Sequence, residues 1–396
     1  MRILFYRYGN ICEPDVIEQF KQLGLEVTCI ENEITDKKLS ASKRVELISS
    51  RLKQASFLFV FSINFFPAIS DVCNIFKVKY VCWSVDAPVL ELFDKAVTNP
   101  CNRIFCFDKA QYNEISPYNP GNIYHLPLCT NTDRWSKVIS GISKEDRQKY
   151  SSDISFVGSL YTEHDPIASC TELSAFSKGY IQGLCDSQKQ IYGYNLLEQS
   201  LTKDLIDELK QKMPKEFAIS NNAVIRLDNY IAAHQLIGHH CSSLERVDLL
   251  TKLSEHHDVN LFTISDTSPY KDYSHLHCHK GVATLTEMPK VFNLSKINLN
   301  ITIRSIRTGI SLRLFDVLGC GGFLLTNYQE EMNDYFVAGE DYDYFTDVDD
   351  LIEKCDFYLA NEEIRKKIAL SGYEKVSKYH TYINRLPEIF KSCLNS

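Results

Sequence analysis

Short apolar runs alternate with amphipathic stretches along the first 130 residues. The run ILFYRYG predicts a strand that ends in a glycine turn, and Ile17, Phe20 and Leu23 are spaced to form one apolar face of a helix. Gly24 ends that helix, and LEVTCI predicts the next strand. Further runs rich in aromatic and β-branched residues follow, namely FLFVFS, VKYVCWSV, NRIFCFD and NIYHLPL. Strands that are apolar on both faces and separated by helices predict a parallel, doubly wound sheet.

The same alternation returns in the second half, around a long polar stretch. ISFVGSLY opens the half as a strand, and VNLFTI, LHCHKGV, KINLNIT, the helix LRLFDVLG and GGFLLT follow later. Residues from about 165 to 257 are polar with a helical period, which predicts a helical insertion. The polar stretch Thr130–Asp153 is typical of an interdomain linker. We therefore expect an N-terminal α/β domain over residues 1–150 and a C-terminal domain over 151–396 that carries the insertion.

Polar residues follow several of the predicted N-terminal strands, where open α/β sheets bind their ligands. Asp86 lies between a strand and Pro88, so its carboxylate could serve as a general base toward a hydroxyl, or it could cap a helix or close an Asx turn. His125 also follows a strand and is the second candidate for a catalytic residue. Asn64 is a hydrogen-bonding candidate in the loop before Pro67. All three also have a purely structural interpretation.

Residues 298–331 hold the densest group of charged, hydroxyl and small residues in the chain. This stretch places arginines and a glycine ahead of a helix: Arg304, Arg307, Gly309 and Arg313. Guanidinium groups and helix N-terminal amides suit phosphate oxygens, so the pattern predicts a phosphate or nucleotide site. Asp316, within that helix, could accept hydrogen bonds from ribose or sugar hydroxyls. The alternative is an exposed basic loop before an ordinary buried helix.

Two other places in the second half are candidates for the same site. Gly158 and Ser159 end its first strand, where a glycine lets the backbone approach a diphosphate closely, although a plain strand-to-helix turn explains them equally well. Arg246, in the run SSLERVDLL, is either a diphosphate ligand or a solvated surface arginine.

The run INLNITIRSIRTGISLRLFDVLGCGGFLLTNYQEE resembles the donor-side segment of the CgeB-type glycosyltransferases, a family named for a spore maturation protein. FVFSINFFPAIS, WSVDAP, NRIFCFD and IYHLPL resemble that family's N-terminal domain, and DISFVGSLY resembles the start of its second half. The resemblance extends to KYHTYINR and is weakest in the insertion. It implies a GT-B fold, in which two Rossmann-like domains face a cleft and the C-terminal one binds the nucleotide sugar. It also implies a ribose contact for Asp316, whereas Thr308 stands where related families carry a sugar-contacting glutamate.

Such an enzyme would move a sugar from a nucleoside diphosphate sugar, of UDP or GDP type, to a protein or a surface glycan. A spore coat protein, flagellin or another surface component would fit as acceptor, and no cofactor beyond the donor substrate is expected. Two alternatives remain open. One is an epimerase or hydrolase that acts on nucleotide sugars with the same fold, and the other is a non-catalytic assembly protein of a spore or surface layer.

Charge and cysteine content narrow the class of protein further. The 396 residues include 43 basic and 51 acidic side chains, and the resulting net charge of −8 argues against a nucleic-acid binder that relies on an overall positive field. The 14 cysteines are scattered without a CxxC pair, which is typical of reduced, mostly buried thiols. The most apolar segment, residues 57–69, is broken by Ser62, Asn64 and Pro67 and should not span a membrane. We expect a soluble, cytoplasmic protein without a transmembrane segment.

Several motifs resemble metal-binding sites. In HLHCH, His275, His277 and His279 would share one face of a strand, but the sequence shows no carboxylate or second cysteine beside them. The DxD pairs at residues 341–343 and 347–349 lie far downstream of the first strand of their domain, and the second pair precedes an apolar run that it could cap as a helix. The sequence therefore predicts a metal-independent enzyme.

Overall fold

The computed structural model describes residues 1–394, apart from the side chains of Ser220, Asn221 and Leu394. These residues form two compact units, each built on a six-stranded sheet. Unit 1 takes in Met1–Cys129, Ile219–Arg226 and the segment that starts at Thr381, and unit 2 takes in Thr130–Ala218 and Leu227–His380.

The sheet of unit 1 is parallel throughout and has the order β2-β1-β3-β4-β5-β6. Its strands are β1 Arg2–Tyr6, β2 Glu26–Ile30, β3 Phe59–Ile63, β4 Lys79–Ser84, β5 Asn102–Cys106 and β6 Ile123–His125. All residues of β3 and of β5 are buried, as the continuous apolar runs predict. The first helix packs Phe20 edge-on against Phe61 of β3, with ring centroids 5.2 Å apart.

The sheet of unit 2 is also parallel and has the order β12-β11-β10-β7-β8-β9. Its strands are β7 Ser152–Val157, β8 Val259–Thr263, β9 Leu276–Lys280, β10 Ser295–Asn300, β11 Leu324–Asn327 and β12 Asp343–Phe345. Counted within the unit, this is the order 3-2-1-4-5-6 of dinucleotide-binding sheets. Apolar side chains of β7, β8, β10 and β11 form one core with the helices that cover the sheet.

Helices connect the strands in both units. They are α1 Glu13–Gln22, α2 Asn32–Thr35, α3 Ala41–Gln54, α4 Pro67–Phe76, α5 Lys109–Ile115, α6 Thr132–Ser140, α7 Lys144–Tyr150, α8 Pro166–Ser169, α9 Ala175–Lys189, α10 Lys203–Lys212, α11 Asp228–Tyr230, α12 Gly238–Ser254, α13 Met288–Leu294, α14 Leu312–Gly319, α15 Met332–Tyr335, α16 Val348–Ala360, α17 Glu362–Tyr379 and α18 Tyr382–Leu394. A π-helix over Ile231–Ile237 runs directly into α12. The predicted helical insertion thus consists of α8 to α12 and the π-helix.

The stretch predicted as an interdomain linker is helical instead. Unit 2 already begins at Thr130, and the polar residues that follow form α6 and α7. Their polar side chains are used in contacts: Asp146 of α7 accepts from Lys290 of α13 at 2.8 Å, and Tyr150 donates to Glu287 at 2.5 Å. At the other end of the chain, α18 belongs to unit 1, where Tyr382 packs edge-on against Trp83.

Composition predicted reduced cysteines and no membrane-spanning segment. All of the cysteines are free thiols, and most of them are buried. In the part of the chain that the structure describes, no helix has the length and apolar character needed to cross a membrane.

Candidate functional site

The crevice of unit 2 lies where the winding of its sheet changes direction. From β7 the chain proceeds to β8 and β9 on one side, whereas β10, on the other side of β7, leads to β11 and β12. The loops after β7 and β10 therefore diverge, and open α/β sheets bind ligands at this switch point. The residues predicted from sequence to bind a phosphate fall partly on these two loops.

Arg246 of α12 ties the two loops together. Its Nη1 donates to the carbonyl oxygen of Ser159 at 2.6 Å, and its Nη2 donates to that of Ile301 at 2.5 Å. The guanidinium lies between two aromatic rings, 5.4 Å from the centroid of Phe156 and 4.5 Å from that of Tyr161. Arg246 is only 7% exposed, so the interpretation as a solvated surface arginine is wrong. Its Nε is buried and has no hydrogen-bond partner among the described residues.

Arg313, in the first turn of α14, is the second cation at this point. Its Nη1 donates to the thioether sulfur of Met288 at 2.7 Å, and its guanidinium lies 5.5 Å from the ring centroid of Phe292. Burial lowers the pKa of Arg313, an effect that the nearby Asp316 carboxylate opposes. Burial also lowers the pKa of Arg246, and the positive charge of Arg313 lowers it further. The two guanidinium groups are thus close enough to repel each other.

This pair is suited to bind an anion. Among the described residues no carboxylate forms an ion pair with Arg246 or Arg313, although both are desolvated cations. The N-cap of α14 is Ser311, whose side chain makes no capping hydrogen bond within the described chain, so the first amides of this helix remain available to a ligand. Two charge-assisted donors beside a helix N-terminus match the oxygens of a diphosphate.

Arg304 and Arg307 lie elsewhere. Arg304 is buried and makes a bidentate ion pair with Glu245, with Nε 2.9 Å from Oε2. Its Nη1 donates to the carbonyl oxygen of Ile191 in the insertion, and Tyr192 lies over its guanidinium at 4.4 Å. Arg307 lies 5.8 Å from the ring centroid of Tyr230. The two arginines line a cavity of about 150 Å³ between the insertion and the loops after β10 and β11. The three arginines that are neighbours in sequence therefore divide between two places.

The loop that carries these arginines also holds Gly309, predicted to bind the donor, and Thr308, which stands where related families carry a sugar-contacting glutamate. Gly309 is buried just ahead of α14. Thr308, which replaces the glutamate of related families, donates from Oγ1 to Oε1 of Glu331 at 2.7 Å. Glu331 is 1% exposed, and its backbone N–H donates to the carbonyl oxygen of Thr308. A carboxylate thus reaches this loop from the end of β11, although the local sequence pattern places none there.

Asp316 lies on the first turns of α14 and is buried. Its Oδ1 accepts from Oγ1 of Thr130 at 2.6 Å, and that hydroxyl in turn accepts from Nε1 of Trp135 at 2.6 Å. The charge of Asp316 acts on Arg313, so the acid lies near the arginine pair. Its predicted ribose contact stays a prediction. Trp135 is thus linked to Asp316 through the hydroxyl of Thr130, and its fluorescence can report on changes at this carboxylate.

Gly158 and Ser159 end β7 as predicted, and the structure gives both a role beside Arg246. A Cβ at Gly158 would lie 3.3 Å from the ring of Phe156, a tight contact, and at an ordinary 3.7 Å from Nη1 of Arg246. The carbonyl of Ser159 accepts from Arg246, and its hydroxyl donates to Glu163 at 2.5 Å. A bound diphosphate remains a prediction for both residues.

Unit 1 has a polar cluster at its own switch point, between β1 and β3. Asn64 follows β3 and donates from Nδ2 to the hydroxyl of Tyr8 at 3.0 Å and to Oδ2 of Asp86 at 2.6 Å. Its Oδ1 accepts the backbone N–H of Val85 at 2.9 Å. The structure therefore brings together two predicted residues, Asn64 and Asp86. Tyr8, which directly follows the first strand, lies in another of the loops that the strand pattern marks as candidates for ligand binding, although no role was predicted for its side chain.

The pKa of Asp86 is raised although the residue is exposed to solvent. Protein atoms around the carboxyl group cause this rise, and the hydrogen bond from Asn64 opposes it. Burial and the charge of Asp86 also raise the pKa of Tyr8. His125 ends β6, two strands away from β4, and its ring lies 6.3 Å from that of Tyr112. The two candidates for the catalytic base thus lie at the ends of different strands, and only Asp86 belongs to the cluster with Asn64.

The first loop of unit 1 differs from that of unit 2 because the chain's own carboxylate occupies it. Glu13, the first residue of α1, is fully buried and accepts the backbone N–H groups of Tyr8 at 2.8 Å and Gly9 at 3.0 Å. Nε of Arg7 donates to the same carboxylate at 3.2 Å. The amides that a phosphate would need are therefore already used, so unit 2 is the better candidate for the donor.

The motifs that imitate metal sites make protein contacts. Contrary to expectation, a carboxylate does lie beside the histidines of β9: Oδ1 of Asp258 is 2.9 Å from both Nδ1 of His275 and Nε2 of His277. Asp347 caps α16 by accepting the backbone N–H of Asp350 at 2.9 Å, as predicted. Within residues 1–394 no group of three or more His, Cys, Asp or Glu side chains is arranged to hold a metal ion.

Comparison with known proteins gives a partial match to a sequence family and a fold. Residues 246–391 match the sequence family described as glycosyl transferase-like. No curated protein sequence matches the chain. Its structure is similar to that of a glycosyltransferase from Rickettsia africae ESF-5, with a TM-score of 0.58 and 11% identity over 100% of this chain and 99% of the other. It is also similar to a sucrose-phosphate synthase from Thermosynechococcus elongatus, with a TM-score of 0.59 and 9% identity over 100% and 99% of the two chains.

A third similar structure contains a nucleotide. The Anabaena protein HepE, determined in complex with UDP, has a TM-score of 0.51 and 11% identity over 100% of both chains. At these identities the likenesses establish the fold. The chain has the predicted GT-B fold of two α/β units, each built on a parallel sheet.

Proposed function

We propose that this chain is a glycosyltransferase that binds a nucleoside diphosphate sugar on unit 2 and transfers the sugar to a hydroxyl group of a protein or surface glycan. The observation that carries the proposal is a pair of guanidinium groups, the buried Arg246 and the partly buried Arg313, at the switch point of a sheet with dinucleotide-binding strand order. The match of residues 246–391 to a glycosyl transferase-like family supports it, because this range includes both arginines.

The chemistry assigned to the pair is electrostatic. When the bond between the anomeric carbon and the diphosphate oxygen breaks, negative charge grows on the leaving diphosphate. Arg246, which is buried, together with Arg313 and the first amides of α14 would stabilise that charge. Fixed cations of this kind supply the charge that a divalent metal would otherwise provide, so we propose that the transfer needs no metal ion and no cofactor beyond the donor.

Arg304 and Arg307 have different tasks in this scheme. Because Glu245 and Ile191 occupy the donors of Arg304, this residue positions the loop after β10 against the insertion. Arg307 faces the neighbouring cavity, where it would contact the donor beyond the diphosphate. Asp316 would orient the ribose, as the resemblance to the CgeB-type family implies.

The acceptor would be activated on unit 1. Asp86 would take the proton of the acceptor hydroxyl as its oxygen attacks the anomeric carbon, and Asn64 would hold the carboxylate in place. A carboxyl with a raised pKa is a stronger base than an ordinary one, which suits this role. The donor we propose is of UDP or GDP type; UDP is bound by the similar Anabaena protein. Spore coat proteins, flagellin and other surface components are the acceptors we propose, with the reaction in the cytoplasm.

Release of nucleoside diphosphate tests this function. The protein is incubated with UDP- and GDP-sugars in the presence of EDTA, with and without a hydroxylated acceptor, and the diphosphate and the sugar product are measured. A transferase releases the diphosphate together with glycosylated acceptor. Release of free sugar without acceptor would identify a hydrolase, a changed sugar still linked to the nucleotide would identify an epimerase, and no turnover with any donor would contradict the proposal.

A further inference from the structure

The loop after β7 holds one residue in a strained conformation. Tyr161 has φ 63° and ψ 13°, the left-handed region that bulky residues rarely adopt. Such strain persists only where the surroundings enforce it. Here the backbone N–H of Tyr161 donates to Oγ of Ser159 at 2.7 Å, and Nε2 of His239 lies 3.3 Å from its carbonyl oxygen.

The strained backbone places the phenol ring over the arginine pair. The ring centroid of Tyr161 lies 4.5 Å from Cζ of Arg246, and the ring of His239 meets it edge-on at 4.9 Å. The Tyr161 side chain is also near enough to Arg313 to interact with it electrostatically. One side chain therefore adjoins both guanidinium groups on which the proposed diphosphate site depends.

The ring does not satisfy the cations that it covers. The Tyr161 side chain offers Arg246 a π face and a neutral hydroxyl, and the buried Nε of Arg246 still has no partner among the described residues. Phosphate oxygens would accept from both guanidinium groups, in hydrogen bonds stronger than a cation–π contact. Release of the left-handed backbone would favour the same exchange.

We propose that Tyr161 is a displaceable cover: its ring shields Arg246 and Arg313 in the free protein and swings away when a pyrophosphate group binds between them. This inference rests on the proposed function, because it takes the arginine pair to be the diphosphate site. Tyr161 is then a positioning residue that sets how readily the donor enters, and it is not itself a ligand of the diphosphate.

Variants at position 161 test the cover. UDP and inorganic pyrophosphate are titrated into the wild type, Tyr161→Gly and Tyr161→Phe, with association rates taken from stopped-flow tryptophan fluorescence. Tyr161→Gly removes the ring and the strain, so we expect binding about tenfold tighter and faster association. Tyr161→Phe keeps the ring and should bind as the wild type does. Tyr161→Asn, whose side chain tolerates the left-handed region, repeats the test if the glycine variant folds poorly.

The outcomes separate the two proposals. Weaker or unchanged binding in both ring-less variants, with the wild type binding UDP, would overturn the cover and leave the diphosphate site standing. Tighter binding in the ring-less variants would support the proposal that Tyr161 covers the arginines. This holds even if the wild type binds too weakly to measure. Absence of binding in every variant would overturn the donor site and the cover together.

Discussion

Replacing Arg304 and replacing Arg313 should lower the stability of the fold by different amounts. Arg304→Gln leaves Glu245 buried at 1% exposure without its ion-pair partner. We therefore expect a loss of about 3–5 kcal/mol in the free energy of unfolding. Arg313→Gln breaks a hydrogen bond to a thioether and the charge interaction with Asp316 but relieves repulsion with Arg246, so its cost should be smaller, about 1–2 kcal/mol.

Urea unfolding of the two variants measures this difference. The double variant Arg304→Met/Glu245→Met serves as control, because it removes both buried charges together and should recover much of the stability lost in Arg304→Gln. Equal losses in Arg304→Gln and Arg313→Gln would contradict the assignment of one arginine to the fold and the other to the ligand.

Asp86 should be required for sugar transfer, and its ionised carboxylate should make the folded protein less stable. Its pKa is raised in the folded protein, so ionisation of Asp86 at neutral pH destabilises the fold, and stability falls as the pH rises through the raised pKa. Asp86→Asn removes this charge. We expect the thermal midpoint at pH 7 to remain or to rise, while kcat falls by about 100-fold or more. A variant that is less stable and still active would refute the role of the carboxylate as base.

Asn64 should tune the pH dependence of the reaction. Its hydrogen bond favours the ionised carboxylate of Asp86 and so lowers a pKa that burial raises. Asn64→Ala removes this bond, and the acid limb of the kcat/KM profile should therefore move to higher pH. Asn10→Ala is the matched control, because Asn10 donates to the same Tyr8 hydroxyl without contacting Asp86. An acid limb that moves equally in both variants, or not at all in Asn64→Ala, would contradict this coupling.

At the scale of elements, a tight turn of the insertion at Gly193 packs against Tyr328, which directly follows β11. Gly193 has φ +75°, and a Cβ there would lie 2.9 Å from the ring of Tyr328. Gly193→Ala should therefore lower the free energy of unfolding by about 1–2 kcal/mol. Gly179 lies inside α9 with open space around it, and Gly179→Ala should raise stability by about 0.5–1 kcal/mol. Opposite signs in chemical denaturation are expected, and two changes of the same sign would argue against this view of the insertion.

The sequence pattern predicted an element correctly where the element is buried on both faces. The largely apolar runs predicted β3, β4 and β5 correctly, because a strand that is covered on both faces needs such a run. The segment at residues 130–153 was misjudged, since its helices α6 and α7 are covered mainly on one side and use polar contacts such as Lys290 with Asp146. Polarity alone does not distinguish such a segment from a linker.

The site was predictable only as far as it is local in sequence. Arg313, Asn64 and Asp86 follow strands or begin a helix, so the strand pattern pointed to them. The partnership of Arg313 with Arg246 joins residues of α14 and α12, and spacing along the chain does not reveal it. Spacing likewise does not reveal the ion pair of Arg304 with Glu245. Because of this ion pair, Arg304, a predicted phosphate ligand, stabilises the fold instead.

At the scale of the whole molecule, the two units are alike in architecture and unlike in charge at their first loops. In unit 1 the amides after β1 bind the carboxylate of Glu13, whereas in unit 2 the loop after β7 receives the guanidinium of Arg246. A phosphate would be repelled at the first of these places and attracted at the second. This difference accounts for the proposed division of labour, with the donor on unit 2 and the acceptor base on unit 1.

The central claim is that Arg313 and Arg246 bind the diphosphate of the donor, and calorimetric titration of UDP and GDP into the wild type and Arg313→Gln tests it most directly. Arg313→Gln is chosen because its fold should remain intact, which its thermal midpoint would verify. We predict that one of the nucleotides binds the wild type in the presence of EDTA and that its Kd rises by about tenfold or more in the variant, as the loss of a charge-assisted hydrogen bond requires. An unchanged Kd in a folded Arg313→Gln variant would contradict the claim.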